Sequence, residues 1–138
     1  MVNVSIGTDK YKSLVVSDHH ELIPDEPKPI GTDLGPNPYQ FLLIALGSCV
    51  AMTLRMYADR KGWDLQQIDV QLSQTKIHAE DCTDCESTTG YVQVIKKQIQ
   101  FKGDLDEKQV ARLMEISNRC PVQKTLINEI KVETELMG

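Results

Sequence analysis

Between Asn37 and Gly62 the sequence specifies a helix with no polar side. Asn37 is a good N-cap, Pro38 suits a first helical position, and Gln40 stands where it can reach back to the cap. Gly62, preceded by Arg60 and Lys61 that complement the negative end of the dipole, marks the stop. The intervening FLLIALGSCVAMTL is apolar on every face, so this helix must be covered all round, as the centre of the fold or against a partner subunit. Its longest apolar run, Phe41 to Leu54, falls short of the ~20 residues a bilayer span needs, so no membrane span is expected. At 138 residues and 41% hydrophobic, the chain is expected to form one domain over 1–138, yet offers little cover for such a helix.

The remaining elements follow from periodicity. Val2, Val4 and Ile6 alternate with polar neighbours, Gly7 to Lys10 has turn composition, and Leu14 to Val16 resumes an apolar run toward Leu22, which predicts a two-stranded hairpin. Five of the six prolines fall between Pro24 and Pro38, which forbids helix and ladder alike and predicts a long loop. Ile68, Val70 and Leu72 open a strand reaching Ile77, with a parity slip expected near Ser73 or Gln74. Tyr91, Ile95, Ile99 and Phe101 share one parity of its antiparallel neighbour. Asp106 and Gln109 form a capping box, Leu105 can staple onto Val110, and Val110, Leu113 and Met114 form a helical stripe. Pro121 restarts a short helix, and Ile130, Val132, Thr134 and Leu136 predict a last strand. Strands and helices without regular alternation indicate an α+β chain.

Twenty acidic against fifteen basic side chains give a net charge of −5, which argues against a nucleic-acid surface. The first residues, alternating polar and apolar, do not read as a secretory leader, so a cytoplasmic protein is expected. In a reducing compartment the four cysteines point to redox chemistry or metal binding. Cys49 lies deep in the apolar helix, where a free cysteine commonly acts as a small hydrophobe, but Gly47, Ser48 and Ala51 leave room for a substrate or second thiol. Cys120, at the N-cap of the short helix, faces unpaired N–H groups that favour a thiolate, or simply caps.

The stretch GPNPYQFLLIALGSCVAMTLRMYADRKGWDL, followed much later by ISNRCPVQKTL, resembles the OsmC/Ohr family, the osmotically inducible and organic hydroperoxide resistance proteins of the oxidative stress response. The resemblance implies an OsmC-like fold: antiparallel sheets around long central helices in an intertwined homodimer. It implies a peroxidase in which Cys49 attacks an organic hydroperoxide and becomes a sulfenic acid. Cys120 then condenses with Cys49 to a disulfide, which a dithiol such as dihydrolipoamide reduces. Phe41, Leu42, Ala45, Met52 and Val122 would line an apolar pocket, and no bound cofactor is called for.

The sequence departs from the family's hydroperoxide-resistance branch in two places. No arginine precedes Arg55, and Tyr39 follows Pro38 where an acid is expected. Lys10 or Lys12 are candidates for the cation and Asp25 or Glu26 for the acid, with Tyr39, Gln40 and His20 as further assisting groups. Without the expected pair, a non-catalytic member that binds a small ligand or senses oxidants is the alternative. Local electrostatics also favours Cys120 as the more acidic thiol, whereas the resemblance makes Cys49 the nucleophile.

His78, Cys82 and Cys85 in HAEDCTDC offer soft ligands for zinc, with Asp81 or Glu86 as a further donor, which gives a zinc-binding protein as another alternative. A local redox pair and a loop without chemistry remain open beside it.

Overall fold

A computed structural model describes all residues, 1–138. The chain divides into two compact units, Met1–Ile44 and Ala45–Gly138, with the division inside the long helix.

The first unit is a three-stranded antiparallel sheet, β1 (Val2–Ile6), β2 (Ser13–Ser17) and β3 (His20–Leu22), in the order β1-β2-β3. The expected hairpin is present, and the run toward Leu22 adds a third strand rather than extending the second. Asp18 adopts a left-handed φ of 54°, which reverses the chain within two residues so that Ser17 pairs with His20. Val2, Val4 and Ile6 share one face of the edge strand and are exposed. The proline-rich loop is organised by Asp25, a buried carboxylate that accepts hydrogen bonds from Glu26 N, Thr32 N, Thr32 Oγ1 and Leu34 N. Gly31 is needed there, because a Cβ would sit 2.2 Å from the Glu26 carbonyl oxygen.

Helix α1 runs Pro38–Lys61 and carries the expected capping box: Gln40 N donates to Asn37 Oδ1 at 2.8 Å, and Asn37 N to Gln40 Oε1 at 2.9 Å. At 24 residues it is long and apolar enough to cross a membrane by length and composition, which corrects the count from the uninterrupted run alone. The core helix of a folded domain meets the same criterion, and Leu46, Val50, Leu54 and Ala58 are buried. Met52 and Met56, on the other side, are 62% and 61% exposed, so one chain covers only part of this helix.

The second unit packs the rest of α1 with a long antiparallel hairpin, β4 (Asp64–His78) and β5 (Tyr91–Asp104), and with α2 (Glu107–Ile116) and α3 (Pro121–Ile127). Its core joins Leu46, Val50, Leu54, Ala58, Leu65, Leu113, Ile116 and Cys120, with Ile68, Val70, Leu72, Ile95, Ile99 and Phe101 against them. The parity slip lies not at Ser73 or Gln74 but between Leu65 and Gln67. Buried Leu65 and core-packed Ile68 are of opposite parity, so the extra residue must fall between them. Gly103 faces this bulge at φ 144°, where a Cβ would lie 1.9 Å from the Asp64 carbonyl oxygen. Beyond it the register is continuous, Ile77 falls on the parity opposite to Ile68, and Tyr91 is exposed.

The Asp106–Gln109 capping box of α2 is formed, and Leu105 packs on the core. The stripe shifts, however: Leu113 and Ile116 are buried while Met114 is exposed. Trp63 meets Tyr57 edge-on at 5.5 Å and covers the end of α1 as expected. The expected last strand is absent. Residues 130–138 have no secondary structure, Val132 and Leu136 are 82% and 95% exposed, and no strand of the chain pairs with them. Alternation prepares a strand, but a ladder partner makes one.

Candidate active site

Cys49 and Cys120 meet in the second unit. Cys49 sits midway along α1, two residues after Gly47, and a Cβ on Gly47 would lie 2.6 Å from Leu72 Cδ1, so the glycine lets β4 approach the helix closely. Cys120 is the N-cap of α3, because Pro121 disfavours a helical conformation in the residue before it; the Cys120 φ and ψ are −61° and 130°. Its Sγ accepts from Gln123 N at 3.5 Å, and the residue is fully buried while Cys49 is half-buried.

The two thiols are not bonded to each other but share a hydrogen bond, and their acidities are driven apart. Burial pushes the Cys49 thiol up, yet hydrogen bonds from the Cys120 thiol, the Val122 N–H and the Thr53 hydroxyl outweigh it and hold Cys49 below its ordinary value. Cys120 moves the other way. Burial raises it, and donation to Cys49 raises it further, against the pull of the Gln123 and Val122 N–H groups. This reverses the order expected from the helix terminus alone: complete burial of Cys120 outweighs its capping bonds. Cys49 is thereby the more acidic of the two thiols.

Two residues that the motifs did not single out complete the surroundings. Thr53 lies one turn after Cys49, at the i+4 spacing that places side chains on one helix face. Lys97 has the inward parity of Ile95, Ile99 and Phe101, and a lysine among apolar inward positions was the available signal. Its ammonium donates to Ser117 O at 2.9 Å, Asn118 Oδ1 at 3.3 Å and Gln123 Oε1 at 2.5 Å. Lys97 is thus tied to the residue whose own N–H donates to Cys120 Sγ. Burial lowers its pKa, and the Cys120 charge acts in the opposite direction, so ammonium and thiol are electrostatically linked.

The other candidates have different surroundings. Lys12 pairs with Asp9 at 2.8 Å, and Lys10 holds a left-handed turn at φ 53°. All three donor residues of Asp25 lie in its own loop, where Glu26 also contributes its carbonyl to Asp33 N. Gln40 serves the helix cap, Tyr39 is exposed, and His20 stacks on His19 at 4.1 Å. Phe41 lines a recess of about 370 Å³ with Val2, Val4, Val15 and Leu22 in the first unit, Leu42 and Ala45 are exposed, and Val122 packs beside the thiols. His78 stacks on Tyr91 at 4.5 Å, whereas Cys82 and Cys85 are joined by a disulfide with Asp84 beside them.

Comparison with known proteins bears on the fold and the family of the chain. No curated protein matches the sequence. An OsmC like protein from Mycoplasma pneumoniae is 20% identical over 91% of this chain and 85% of its own, with a TM-score of 0.71. An organic hydroperoxide resistance protein OsmC from Legionella pneumophila is 14% identical, covering 91% and 87%, with a TM-score of 0.64. The organic hydroperoxide resistance protein OhrB of Bacillus subtilis is 22% identical, covering 91% and 87%, with a TM-score of 0.59. These likenesses establish the fold. The model of the OsmC-like protein family matches residues 31–135, and the chain belongs to that family.

Proposed function

We propose that this chain is a thiol peroxidase that reduces organic hydroperoxides to alcohols, with Cys49 as nucleophile and Cys120 as resolving thiol. The observation that carries the reading is the hydrogen-bonded, unlinked Cys49–Cys120 pair in which Cys49 is the more acidic member. The organic hydroperoxide resistance proteins among its structural neighbours support the substrate class.

In the first step the Cys49 thiolate attacks the terminal hydroperoxide oxygen. The O–O bond breaks, the alkoxide takes a proton and leaves as the alcohol, and Cys49 becomes a sulfenic acid. Cys120 sulfur then attacks Cys49 sulfur. The sulfenic hydroxyl leaves with the Cys120 proton as water, and a disulfide forms. An external dithiol reduces it by two exchanges and becomes a disulfide itself. Lys97 and the Gln123 N–H stabilise the Cys120 thiolate as it is released.

A second copy of the chain is proposed to cover the exposed side of α1 and to supply the ladder partner that residues 130–138 lack, giving the homodimer of the family resemblance. Light scattering coupled to size exclusion should return twice the 15.6 kDa chain mass, and a monomer at tens of micromolar would reject this part. A cytoplasmic setting, where dithiols are maintained, suits the cycle.

The activity is tested by mixing the protein with cumene hydroperoxide and dihydrolipoamide and following peroxide loss. Turnover by the native chain that falls to background in Cys49→Ser is expected. Undiminished turnover in that variant rejects the assigned nucleophile, and no turnover with any dithiol favours the oxidant-sensing alternative.

A further inference from the structure

The second cysteine pair takes no part in this cycle. It occupies the tip of the β4–β5 hairpin, beyond the part of β4 that meets α1. Leu72 lies against Gly47, and the six residues from there to His78 extend the strand by about 20 Å. The tip is ordered locally: Ala79 N donates to Gly90 O at 2.8 Å, a 3-10 turn spans Ala79–Asp81, and Cys82 N closes onto Ala79 O at 3.1 Å. Cys82 and Cys85 follow with their Cα atoms 5.6 Å apart, joined as a disulfide.

The charges around this pair discriminate between its uses. From Ala79 to Gly90 the loop holds Glu80, Asp81, Asp84 and Glu86 and no lysine or arginine. The preceding lysine, Lys76, has its ammonium 5.0 Å from the centre of the Tyr91 ring, and His78 stacks on that same ring. Carboxylates beside a thiol disfavour the free thiolate that fast disulfide exchange requires, but attract a divalent cation that binds thiolates. The donors also stand together: with the disulfide closed, the ligand atoms of Cys82, Asp84 and Cys85 all lie within 4.8 Å of one another, and Cys82 Sγ is 3.5 Å from Asp84 Oδ1.

We propose that the reduced hairpin tip binds one thiophilic divalent cation, zinc by its chemistry, through the Cys82 and Cys85 thiolates and the Asp84 carboxylate, and that the Cys82–Cys85 disulfide is the closed form of this site. Opening it consumes two electrons and two protons from a dithiol, which leaves as its own disulfide. Zinc then displaces the two thiol protons, and the sulfurs separate to ~3.8 Å across the ion. Three protein donors leave the fourth position of a tetrahedral ion to water, and Asp84 is exposed to it.

The test is a titration of the full chain, reduced with a phosphine that is then removed, using cobalt(II) followed by zinc. One cobalt per chain is expected, with thiolate-to-cobalt charge-transfer absorption that one equivalent of zinc abolishes. The diamide-oxidised chain and Cys82→Ser should show no such absorption, Asp84→Asn should bind at least about tenfold more weakly, and Cys120→Ser should bind as the native chain does. Far-UV circular dichroism checks that each variant is folded. No cobalt uptake by the reduced native chain, or uptake that persists in Cys82→Ser, overturns the proposal. Peroxidase activity enters none of these readouts, so the site stands or falls apart from the Cys49–Cys120 cycle.

Discussion

Two cysteine pairs share this chain and lie in opposite environments. Cys49 and Cys120 are distant in sequence, packed on one hydrophobic core, hydrogen-bonded and unlinked; Cys82 and Cys85 are near neighbours on a surface loop and already joined. Around the first pair the structure places N–H donors, a hydroxyl and one ammonium, all of which favour negative sulfur. Around the second it places carboxylates, which disfavour a bare thiolate and suit a bound cation. The sign of the surrounding charge thus differs between the two pairs, and the roles proposed for them, peroxide chemistry and cation binding, rest in part on that difference.

The largest effect expected is at Cys120, the proposed resolving thiol. Cys120→Ser should reduce dithiol-driven turnover toward one hydroperoxide per chain, with a sulfenic acid trapped at Cys49 by dimedone. Sustained native turnover in that variant would remove Cys120 from the cycle. Next comes the core that holds the pair. Leu113 is fully buried in the cluster containing Cys120, and Leu113→Ala should cost about 2–5 kcal/mol in urea unfolding. Loss of the loop disulfide in the Cys82→Ser/Cys85→Ser variant should cost no more than about 2 kcal/mol. Equal losses would mean that the loop is as integral to the fold as the core.

Lys97 sharpens the electrostatic side. Lys97→Met should raise the apparent pKa of Cys120, read from the pH dependence of its alkylation, and slow reduction of the Cys49–Cys120 disulfide about tenfold, the equivalent of one pKa unit. Lys97→Arg should restore part of both, and an unchanged pH profile in Lys97→Met would leave the lysine a purely structural role. The smallest effect concerns a carboxylate outside both pairs. The Thr32 hydroxyl, with the Leu34, Glu26 and Thr32 N–H groups, holds Asp25 at about 2 against the cost of burial. This folded value lies below the ~3.9 of an unfolded aspartate, so the contribution is present above pH ~4 and lost as the pH falls toward 2. Asp25→Asn should lower the Tm at neutral pH and flatten its acid decline below pH ~4; an unchanged decline would show that another group sets it.

Much of this was legible before the structure, because local rules acted alone. The Asn37–Gln40 and Asp106–Gln109 boxes, the Gly62 stop and the Cys120 cap each depend on a few adjacent residues. What was not legible depends on contacts between elements. The bulge at Gln66 follows from which of Leu65 and Ile68 must face the core, and the C-terminal strand does not form because alternation alone supplies no partner. The order of the thiol acidities turns on complete burial of Cys120, which no motif reveals. Lys97 carried a signal, a charged residue in an inward register, but its partners Ser117, Asn118 and Gln123 lie on other elements and only the fold brings them to it.

In the proposed cycle Cys49 sulfur takes the oxygen and Cys120 closes on it. The decisive measurement treats the fully reduced chain with one equivalent of cumene hydroperoxide without reductant, then quantifies the alcohol and maps disulfide-linked peptides. One alcohol per chain is expected, with a Cys49–Cys120 link formed in step with it. Alcohol formed with both thiols still free, or with only Cys82 and Cys85 linked, would contradict the cycle.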